Sequence, residues 1–351
     1  MSDSTREICE RELKRMSVAV DNALEQFLID AAHGPATRMY GMLSYFMGYC
    51  DLNLKPVKIS AGKRLRSGLC LLLAEAYGAE DRAFEASVAI ELFHNFTLIH
   101  DDVEDRDEMR RGRPTVWKLW GINHAINSGD AQSLLVSQWC MRVARHPVVG
   151  MKVADTLLQA FIEVAEGQYL DFELADASLS SDTINETQYM LMIEKKSGAL
   201  VRVAAEVAGI AAGCSTEECA RLRDYGASLG TAYQIADDYA SVWNPSAQTG
   251  KDAHSDIREH KRTLPFLHAR AIVDQSSSER LDALYSLSRQ LTDSEIAEAY
   301  AIMDTPDVRE YVSRRIQLYA DRARARASEL SISQQKQALL RAMVDFIVPS
   351  V

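Results

Sequence analysis

The stretch from residue 82 to residue 109 most constrains what this chain of 351 residues can fold into. It contains no proline, and its apolar residues recur at spacings of three and four, which is the period of an α-helix. A helix that is apolar on most faces lies inside a large bundle, so the stretch predicts the centre of a helical domain. Its large apolar residues are Phe84, Val88, Ile90, Leu92, Phe93, Phe96, Leu98 and Ile99.

The rest of the chain has the same character. Residues 187–212 and 217–243 also lack proline, and the second stretch repeats apolar residues at helical spacing. Capping-box patterns, which mark helix starts, pair Thr183 with Glu186, Ser215 with Glu218 and Thr292 with Glu295. No linker rich in proline, glycine or serine divides the sequence. These features predict an all-α, single-domain bundle of about a dozen or more helices.

Composition excludes several classes of protein. A net charge of −11 argues against non-specific nucleic-acid binding, which needs a basic surface. No run of eighteen apolar residues predicts a transmembrane helix, and the polar N-terminal segment lacks the apolar core of a secretory signal. The six cysteines show no CxxC spacing and no disulfide framework. We therefore expect reduced thiols in a cytoplasmic protein.

Six carboxylates crowd into residues 101 to 109, directly after the apolar segment ELFHNFTLIH. Asp101 and Asp105 are four residues apart, so on a helix they share one face, where like charges repel each other. A solvated helix end is the commoner origin of such an acidic run. Here the run begins where a buried helix surfaces, and Mg²⁺ binds such carboxylates together with water and phosphate oxygens. Arg110, Arg111 and Arg113 follow at once, and guanidinium groups bind phosphate well.

A second aspartate pair, Asp237 and Asp238, ends the apolar helical segment YQIADD. The first pair likewise ends an apolar helical segment, HNFTLIHDD. The two pairs could therefore face each other across a bundle cavity. Two acidic faces with metal between them would clamp one diphosphate.

Basic residues supply candidates for a second anion site. The segment AGKRLRSG puts Lys63, Arg64 and Arg66 before an apolar run, although an amphipathic surface helix could begin in the same way. Lys196 lies within an apolar helix, where a lone lysine is costly unless it pairs with an anion. Lys251 and Lys261 belong to a basic loop, GKDAHSDIREHKRTLP, which lacks the GxxxxGK[ST] spacing of a P-loop.

A different metal centre must be weighed at Glu91 and His94. They form a Glu-x-x-His unit, which is the building block of di-iron carboxylate bundles. Those bundles need two such units, and the sequence contains one. We therefore interpret His94 as a core or pocket histidine, and the sequence leaves both of these roles open.

The order and spacing of these motifs closely resemble those of the trans-isoprenyl diphosphate synthases, most of all geranylgeranyl diphosphate synthase. The family's first motif, DDxxD followed by xxxxRRG, is complete here as DDVEDRDEMRRG. The likeness runs from about residue 28 to the C-terminus, so we expect a synthase domain over 28–351 and an N-terminal helical extension over 1–27. The other shared landmarks are GKRLR (62–66), EGQYLD (166–171), KSG (196–198), YQIADD (233–238) and GK…D…K-x-TLP (250–265).

The resemblance implies an all-α homodimer with a deep central cavity that condenses isopentenyl diphosphate with an allylic diphosphate, using three Mg²⁺ ions. It assigns the metal to Asp101, Asp105 and Asp237, with Asp102 and Asp238 close by. The residues that it assigns to the allylic diphosphate are Arg110, Lys196, Lys251 and Lys261. Those that it assigns to isopentenyl diphosphate are Lys63, Arg64, Arg66, His94 and Arg111. Ser197 and Gln234 face the reacting carbons.

The chain departs from the family pattern at several positions. Ser241 stands where the second motif usually has a third aspartate, and His254, His260, Ala61 and Ser67 replace glycines or a proline. Some branches of the family read DD followed by a tryptophan five positions on and then a TGK loop, as Trp243 and the TGK segment at 249–251 do here, which favours an active enzyme. A terpene cyclase and a non-catalytic partner subunit of the same fold are the alternatives, although cyclases generally lack the GKRxR and RRG motifs.

Product length is predicted from the residues just before the first motif. Phe96 and Phe93 precede Asp101 by five and eight residues, which puts their rings roughly 7 and 12 Å below it on one side of a helix. Ordinary core packing explains most such rings. In the family, an aromatic at the fifth position indicates geranylgeranyl diphosphate, and the small Thr97 leaves room beyond a farnesyl cavity. We expect geranylgeranyl diphosphate, with farnesyl or longer products as the alternatives.

Overall fold

The computed structural model describes residues 3–59, 62, 64–178, 184–244 and 254–348. Nearly all regular structure in these ranges is helical, which confirms the predicted all-α class. The strands in the described part of the chain are two-residue segments, Met109–Arg110 (β1) and Arg113–Pro114 (β2), which pair antiparallel. None of the described helices combines the length and apolar character that crossing a membrane requires.

The chain forms two compact units, each assembled from separate stretches of sequence. The first unit comprises residues 1–161, 203–223 and 331–336, and the second comprises 162–202, 224–330 and 337–351. Glu75 ties distant parts of the first unit together, because it accepts a 2.7 Å hydrogen bond from Arg15 and also pairs with Lys336.

The long apolar helix predicted around residue 90 is the centre of the first unit. It runs over Glu80–Glu104 (α4) and contacts the neighbouring helices α1, α3, α5 and α6. Val88, Ile90, Leu92 and Ile99 are completely buried, as the apolar pattern predicted. The elements around it are α1 (Asp3–Ala31), a 3₁₀ turn (Gly34–Ala36), α2 (Thr37–Phe46), α3 (Leu65–Ala76), α5 (Val116–Trp120), α6 (Ile122–Val143) and α7 (Gly150–Asp176).

The α4 helix ends at Glu104, five residues before the predicted end at residue 109. Carboxylates at the C-terminal end of a helix face the negative pole of its dipole, so the acidic run does not continue the helix. Asp105 is the C-terminal cap, and its backbone N–H donates to the Asp101 carbonyl over 2.8 Å. Arg106, at φ 57°, then turns the chain away.

A helix predicted over 187–212 is divided by one turn of π-helix. Glu186–Ile193 (α8) leads into the π turn Glu194–Gly198, which continues as Ala199–Ala212 (α9). Single π turns of this kind are frequent at functional sites. The remaining helices are α10 (Thr216–Trp243), α11 (Ser255–Arg258), α12 (Leu264–Ile272), α13 (Gln275–Tyr285), α14 (Asp293–Met303), α15 (Pro306–Glu329) and α16 (Gln334–Ile347).

The predicted helix starts have different outcomes. The Thr292–Glu295 capping box is confirmed, with both of its hydrogen bonds formed. Ser215 accepts from the backbone N–H of Glu218 over 3.2 Å, but the Glu218 side chain binds elsewhere. Thr183 lies outside the described residues, and the side chain of Asn185 caps α8.

The N-terminal segment is packed against the rest of the first unit. The α1 helix continues through residue 27 to Ala31 and contacts α2, α3 and α4. Its buried face includes Leu13, Met16, Val20 and Leu24. The division between an extension and a synthase domain at residue 27 stays a prediction.

Candidate active site

The first acidic motif lies where α4 ends. Asp101 is in the last turn of the helix and is partly exposed, while Asp105 caps the helix and is exposed. The four-residue spacing and the near-helical conformation of Asp105 (φ −81°) keep the two residues on one side of the helix end. Their carboxylates lie at the boundary between buried helix and solvent, where a hydrated cation can reach them.

Asp102, by contrast, points into the first unit and is only 1% exposed. Its Oδ1 atom accepts a hydrogen bond from the Arg110 guanidinium, which also pairs with Asp107 at 3.5 Å. Within the described residues its Oδ2 atom is buried without a hydrogen-bond partner. Burial raises the pKa of Asp102 to about 7 despite the nearby Arg110. Asp102 therefore fixes Arg110 beside the acidic motif.

A two-residue hairpin turn presents the arginines of the RRG motif. Arg110 ends β1, Arg113 begins β2, and Arg111 and Gly112 between them have φ of 53° and 72°. Positive φ at both central residues is what the turns that suit two-residue hairpins require, and glycine meets this requirement without strain. Arg111 holds a left-handed conformation that is strained for a residue with a side chain. The hairpin thus fixes two guanidinium groups in sequence.

A neutral histidine lies among several arginines in the first unit. His94 Nε2 and Arg66 Nη1 are 3.1 Å apart, and since a guanidinium can only donate, the imidazole nitrogen accepts. Burial, together with the positive charges of Arg66, Arg111, Arg110 and Arg64, lowers the pKa of His94 well below its usual value. His94 is therefore a pocket histidine surrounded by positive charge, and an anion is the ligand that this charge favours.

Arg64, which the resemblance assigns to isopentenyl diphosphate, is bound by acidic side chains in this structure. It is 4% exposed, and its guanidinium donates to Asp21 over 2.8 Å and to Glu91 over 2.9 Å. Glu91 also accepts from Ser67 over 2.9 Å and from Asn95 over 3.2 Å. The Glu91 carboxylate is therefore used as an acceptor by Arg64, Ser67 and Asn95, and it is not available as a ligand for the di-iron centre considered as an alternative.

Lys196 lies in the π turn of the second unit, where its predicted need for an anionic partner is met by Asp171. The two groups are 2.5 Å apart, and Lys195 pairs with Glu166 at the same distance. The EGQYLD motif on α7 supplies both acids and the glycine between them. A Cβ atom on Gly167 would come within 2.2 Å of the Lys196 backbone nitrogen, so only glycine permits this approach.

Ser197, Gln234 and Asp238 form a chain of hydrogen bonds in the second unit. Ser197 Oγ donates to Gln234 Oε1 over 2.5 Å, and Gln234 Nε2 donates to Asp238 Oδ1 over 2.8 Å. The hydroxyl of Tyr189 donates to the other Asp238 oxygen over 2.6 Å. Burial and the charge of Asp238 raise the pKa of Tyr189 well above its usual value, so the phenol remains a donor. Asp238 is buried, whereas Asp237 is partly exposed.

Two of the predicted diphosphate ligands, Lys63 and Lys251, lie outside the described residues. Lys261 is described and pairs with Glu259 at 2.7 Å. The next residue, Arg262, donates to the backbone carbonyls of Leu174 and Ala177 over 2.7 and 2.6 Å. It thereby caps the C-terminal end of α7, where carbonyl groups lack helical partners and favour a cation. This contact anchors the loop that carries Lys261.

Aromatic rings form a continuous cluster on the predicted chain-length side of α4. Phe96 meets Phe93 edge to face with 5.4 Å between ring centroids, and meets His100 in the same way at 5.0 Å. Phe93 stacks flat on Phe161 of α7 at 4.0 Å. Thr97 donates its hydroxyl to the His94 carbonyl over 2.9 Å, so it presents mainly its methyl group.

The donor set at the end of α4 fits Mg²⁺. Asp101 and Asp105 supply hard oxygen ligands in solvent-accessible positions, whereas Asp102 is buried and pairs with Arg110. Nowhere in the described ranges do three or more His, Cys, Asp or Glu side chains converge on a metal-binding geometry. In proteins, Mg²⁺ usually takes few protein ligands and completes its shell with water and phosphate oxygens.

Several residues of the site were not predicted from the sequence. Tyr189 and Phe161 lie in helices with many apolar residues, where nothing distinguishes them from ordinary core. Asp171 and Gly167 were recognised only as parts of the EGQYLD motif, without individual roles. A signal for Asp171 existed in the need of Lys196 for an anion, but its partner could not be chosen among the acids of the chain.

The chain was compared with families and proteins of known identity. The family model described as polyprenyl synthetase matches residues 53–303. A geranylgeranyl diphosphate synthase from Methanosarcina mazei is 35% identical over 262 residues, which are 74% of this chain and 74% of that protein. A (2E,6E)-farnesyl diphosphate synthase from Mycobacterium tuberculosis is 32% identical over 316 residues, which are 88% of this chain and 86% of that protein.

Solved structures agree with these relatives. The crystal structure of geranylgeranyl pyrophosphate synthetase from Pyrococcus horikoshii Ot3 matches with a TM-score of 0.83 and 29% identity, over 98% of each chain. The named relatives differ in the product after which they are named, geranylgeranyl or farnesyl diphosphate.

Proposed function

Because this chain belongs to the polyprenyl synthetase family and is a trans-prenyltransferase, we propose that it condenses isopentenyl diphosphate head-to-tail with an allylic diphosphate to make geranylgeranyl diphosphate. The observation that carries the proposal is the cluster around His94. Several arginines surround an imidazole that is held neutral, and it lies on the same helix whose end carries the acidic motif. That combination suits two diphosphates, of which one is bound through metal and the other directly by guanidinium groups.

We assign the metal to Asp101, Asp105 and Asp237, whose carboxylates are all at least partly accessible. When bound, Mg²⁺ acts as a Lewis acid that stabilises the charge on the departing diphosphate. Arg110, which Asp102 holds in place, and Lys196, which Asp171 holds, add positive charge to the same diphosphate. Lys261 contributes in the same way from its anchored loop, and Lys251 is assigned here on the family resemblance.

Isopentenyl diphosphate is assigned to Arg66, His94 and Arg111, with Lys63 on the family resemblance. Arg111 is pre-positioned by its hairpin turn, and its guanidinium is beside Gly62, because a Cβ atom there would lie 3.4 Å from it. Partial desolvation and the charges of Arg64 and Arg110 lower the pKa of Arg111 only to about 10, so it stays protonated at neutral pH. Arg64 is omitted from this set because Glu91 and Asp21 already bind its guanidinium.

Loss of the diphosphate from the allylic substrate leaves a carbocation, which neutral oxygen dipoles stabilise without reacting. Ser197 and Gln234 are suited to this task, because their oxygens are held 2.5 Å apart by a hydrogen bond. The new bond joins the allylic carbon to C4 of isopentenyl diphosphate, and one proton then leaves, with the released diphosphate as its acceptor. The reaction needs no side-chain nucleophile.

The product length follows from the aromatic cluster on α4. Phe96 is nearer to Asp101 than Phe93, and the stack on Phe161 holds Phe93 in place. A growing tail that descends along this face therefore meets the Phe96 ring first. This order supports geranylgeranyl diphosphate, and farnesyl diphosphate is the second candidate because one named relative makes it.

Replacing Phe96 by alanine is expected to lengthen the product, because it removes the first ring in the path of the tail. Radiolabelled isopentenyl diphosphate, followed by phosphatase treatment and chromatography of the alcohols, measures the product distribution. Phe93→Ala alone should change it little, and the double variant should give the longest products. Phe84→Ala, three turns further along the same helix, is the matched control. An unchanged distribution for Phe96→Ala would remove Phe96 as the floor.

We further propose that the protein is a homodimer that associates through α6 and the start of α7. Leu134 and Met141 are seven residues apart, hence on one side of α6, and Leu134 is 71% exposed. Val148, between α6 and α7, and Met151, at the start of α7, are also exposed, at 85% and 72%. Exposed large apolar side chains that group together are typical of a protein interface, which supports this assignment.

The paired substitution of Leu134 and Met141 by glutamate is expected to convert the dimer into a monomer, because buried unpaired carboxylates are costly. Sedimentation equilibrium gives the mass directly. Val18→Glu introduces the same charge at an exposed apolar position on α1 and should leave the mass unchanged. A wild-type protein that sediments as a monomer would contradict the proposal.

A single assay tests the proposed reaction. Purified protein is incubated with Mg²⁺, radiolabelled isopentenyl diphosphate and each allylic primer in turn. Labelled linear alcohols after phosphatase treatment are expected, with geranylgeraniol as the main species. Hydrocarbon from an allylic diphosphate alone would instead indicate a cyclase, and binding without turnover would indicate a non-catalytic subunit.

A further inference from the structure

We propose that Tyr189 and Asp238 are positioning residues that fix the orientation of the Gln234 side-chain amide. The inference rests on the proposed function, because it gives the two residues a role in stabilising the allylic cation. It separates the two aspartates of the YQIADD motif, so that Asp237 faces the metal and Asp238 faces the protein.

The geometry of Asp238 carries the first step. Each of its carboxylate oxygens accepts a hydrogen bond, one from Gln234 Nε2 over 2.8 Å and the other from the Tyr189 hydroxyl over 2.6 Å. The residue is 5% exposed, and Tyr189 is completely buried. A buried carboxylate whose two oxygens both accept hydrogen bonds from protein groups serves as an acceptor for those groups. A ligand for a hydrated cation, by contrast, needs access to solvent.

The second step concerns the two ends of the Gln234 amide. An ionised carboxylate can only accept hydrogen bonds, so the amide must turn its NH₂ group towards Asp238. Its oxygen then faces Ser197, whose hydroxyl donates to it over 2.5 Å. The Ser197 hydrogen is thereby directed at Gln234, and the lone pairs of its oxygen are directed elsewhere. Asp238 thus determines that oxygen atoms, and not N–H groups, form the neutral dipoles near the reacting carbons.

Tyr189 completes the arrangement because it locks the carboxylate itself. Its hydroxyl binds the oxygen that Gln234 does not use, so Asp238 cannot rotate without losing a hydrogen bond in a buried site. Glycines bring the backbone elements together around this chain of contacts. A Cβ atom on Gly230 of α10 would lie 2.9 Å from the Gly198 Cα atom, which is next to Ser197.

The test compares Asp238→Asn with Asp237→Asn. In Asp238→Asn, the Tyr189 hydroxyl still donates to the oxygen of the new asparagine. The asparagine NH₂ group then faces Gln234, so the Gln234 amide must rotate by about 180° to accept from it. This rotation directs the Gln234 NH₂ group at Ser197. We expect kcat to fall about 100-fold, as for the loss of one pre-organised electrostatic contact, with little change in KM for either diphosphate. Calorimetric titration of Mg²⁺ into the protein with inorganic diphosphate should give the same affinity as wild type. Asp237→Asn should weaken that affinity at least tenfold.

Tyr189→Phe provides a milder test, since it removes one hydroxyl and keeps the ring. We expect kcat to fall about tenfold with the Mg²⁺ affinity unchanged, because the loosened carboxylate still accepts from Gln234. Tyr225→Phe is the matched control, because that hydroxyl is also buried and donates over 3.2 Å to the Leu340 carbonyl, away from the Gln234 amide. It should retain wild-type kcat.

Two results would overturn the inference. One is a loss of Mg²⁺ affinity in Asp238→Asn as large as in Asp237→Asn. The other is a Tyr189→Phe variant whose kcat equals that of Tyr225→Phe. Failure of the proposed reaction can be told apart from failure of this inference. In the first case wild-type protein would form no prenyl product, but calorimetry would still measure the Mg²⁺ affinities of the two aspartate variants.

Discussion

Replacement of Asp101 by asparagine is expected to lower kcat about 1,000-fold while the protein stays folded. The carboxylate is proposed to hold the metal that stabilises the departing diphosphate, and a Lewis-acid contribution of several kcal/mol corresponds to roughly that factor. Stability should not fall, because Asp101 is partly exposed and lies at the negative end of the α4 dipole, where removing a negative charge is favourable. Initial rates at saturating substrates and a thermal melt measure the two quantities.

The control for this variant is Glu108→Gln. Glu108 belongs to the same acidic run and is paired with the exposed Lys118 at 2.6 Å, away from the helix end. It should retain most of the activity, and raising the Mg²⁺ concentration should partly rescue Asp101→Asn only. Equal losses in the two variants would mean that total negative charge matters and not the carboxylate at the end of α4.

Replacement of Glu91 by alanine is expected to destabilise the protein by about 3–5 kcal/mol, which is the typical cost of leaving one member of a buried ion pair without its partner. The Arg64 side chain is 2% exposed and would lose its 2.9 Å ion pair with Glu91, whose side chain is 3% exposed. Ser67 and Asn95 would lose an acceptor as well. The free energy of unfolding from urea titration measures the effect.

Glu298→Ala is the matched control, because Glu298 binds Arg280 through two 2.7 Å hydrogen bonds at the surface. Exposed pairs contribute less than about 1 kcal/mol, so this variant should remain close to wild type. Arg64→Met combined with Glu91→Leu should recover part of the loss, since buried ion pairs can be replaced by apolar groups. A similar loss of unfolding free energy in Glu91→Ala and Glu298→Ala would contradict the prediction that the buried ion pair matters more to stability than the exposed one.

The α4 helix shows what sequence pattern can and cannot predict. Its apolar period identified the helix, and its apolar residues on most faces identified its central position, because such a helix must be surrounded by other parts of the protein. The predicted end of the helix, at residue 109, was wrong by five residues. The prediction extended the helix through the acidic run, where the negative end of the helix dipole opposes further carboxylates. The position of the acidic motif at a helix end was nevertheless predicted correctly.

Other features depend on contacts that no local pattern contains. The motif GKRLR offers three cations, and only the left-handed conformation of Arg64, at φ 47°, turns that one inwards to Glu91. In the same way, Asp237 and Asp238 are alike in sequence, and Tyr189, from another helix, distinguishes them. The π turn at 194–198 has the same apolar period as its flanking helices, so a continuous helix was the natural prediction.

The make-up of the first unit bears on how the protein is synthesised. That unit includes residues 331–336, and Glu75, near its start, pairs with Lys336. Glu218 likewise accepts from the backbone N–H of Ser331. A ribosome must therefore translate nearly the whole chain of 351 residues before the unit containing the first acidic motif can close. Domains generally fold in order during synthesis, but the first unit is completed only after residues 224–330, which belong to the second unit, have been synthesised.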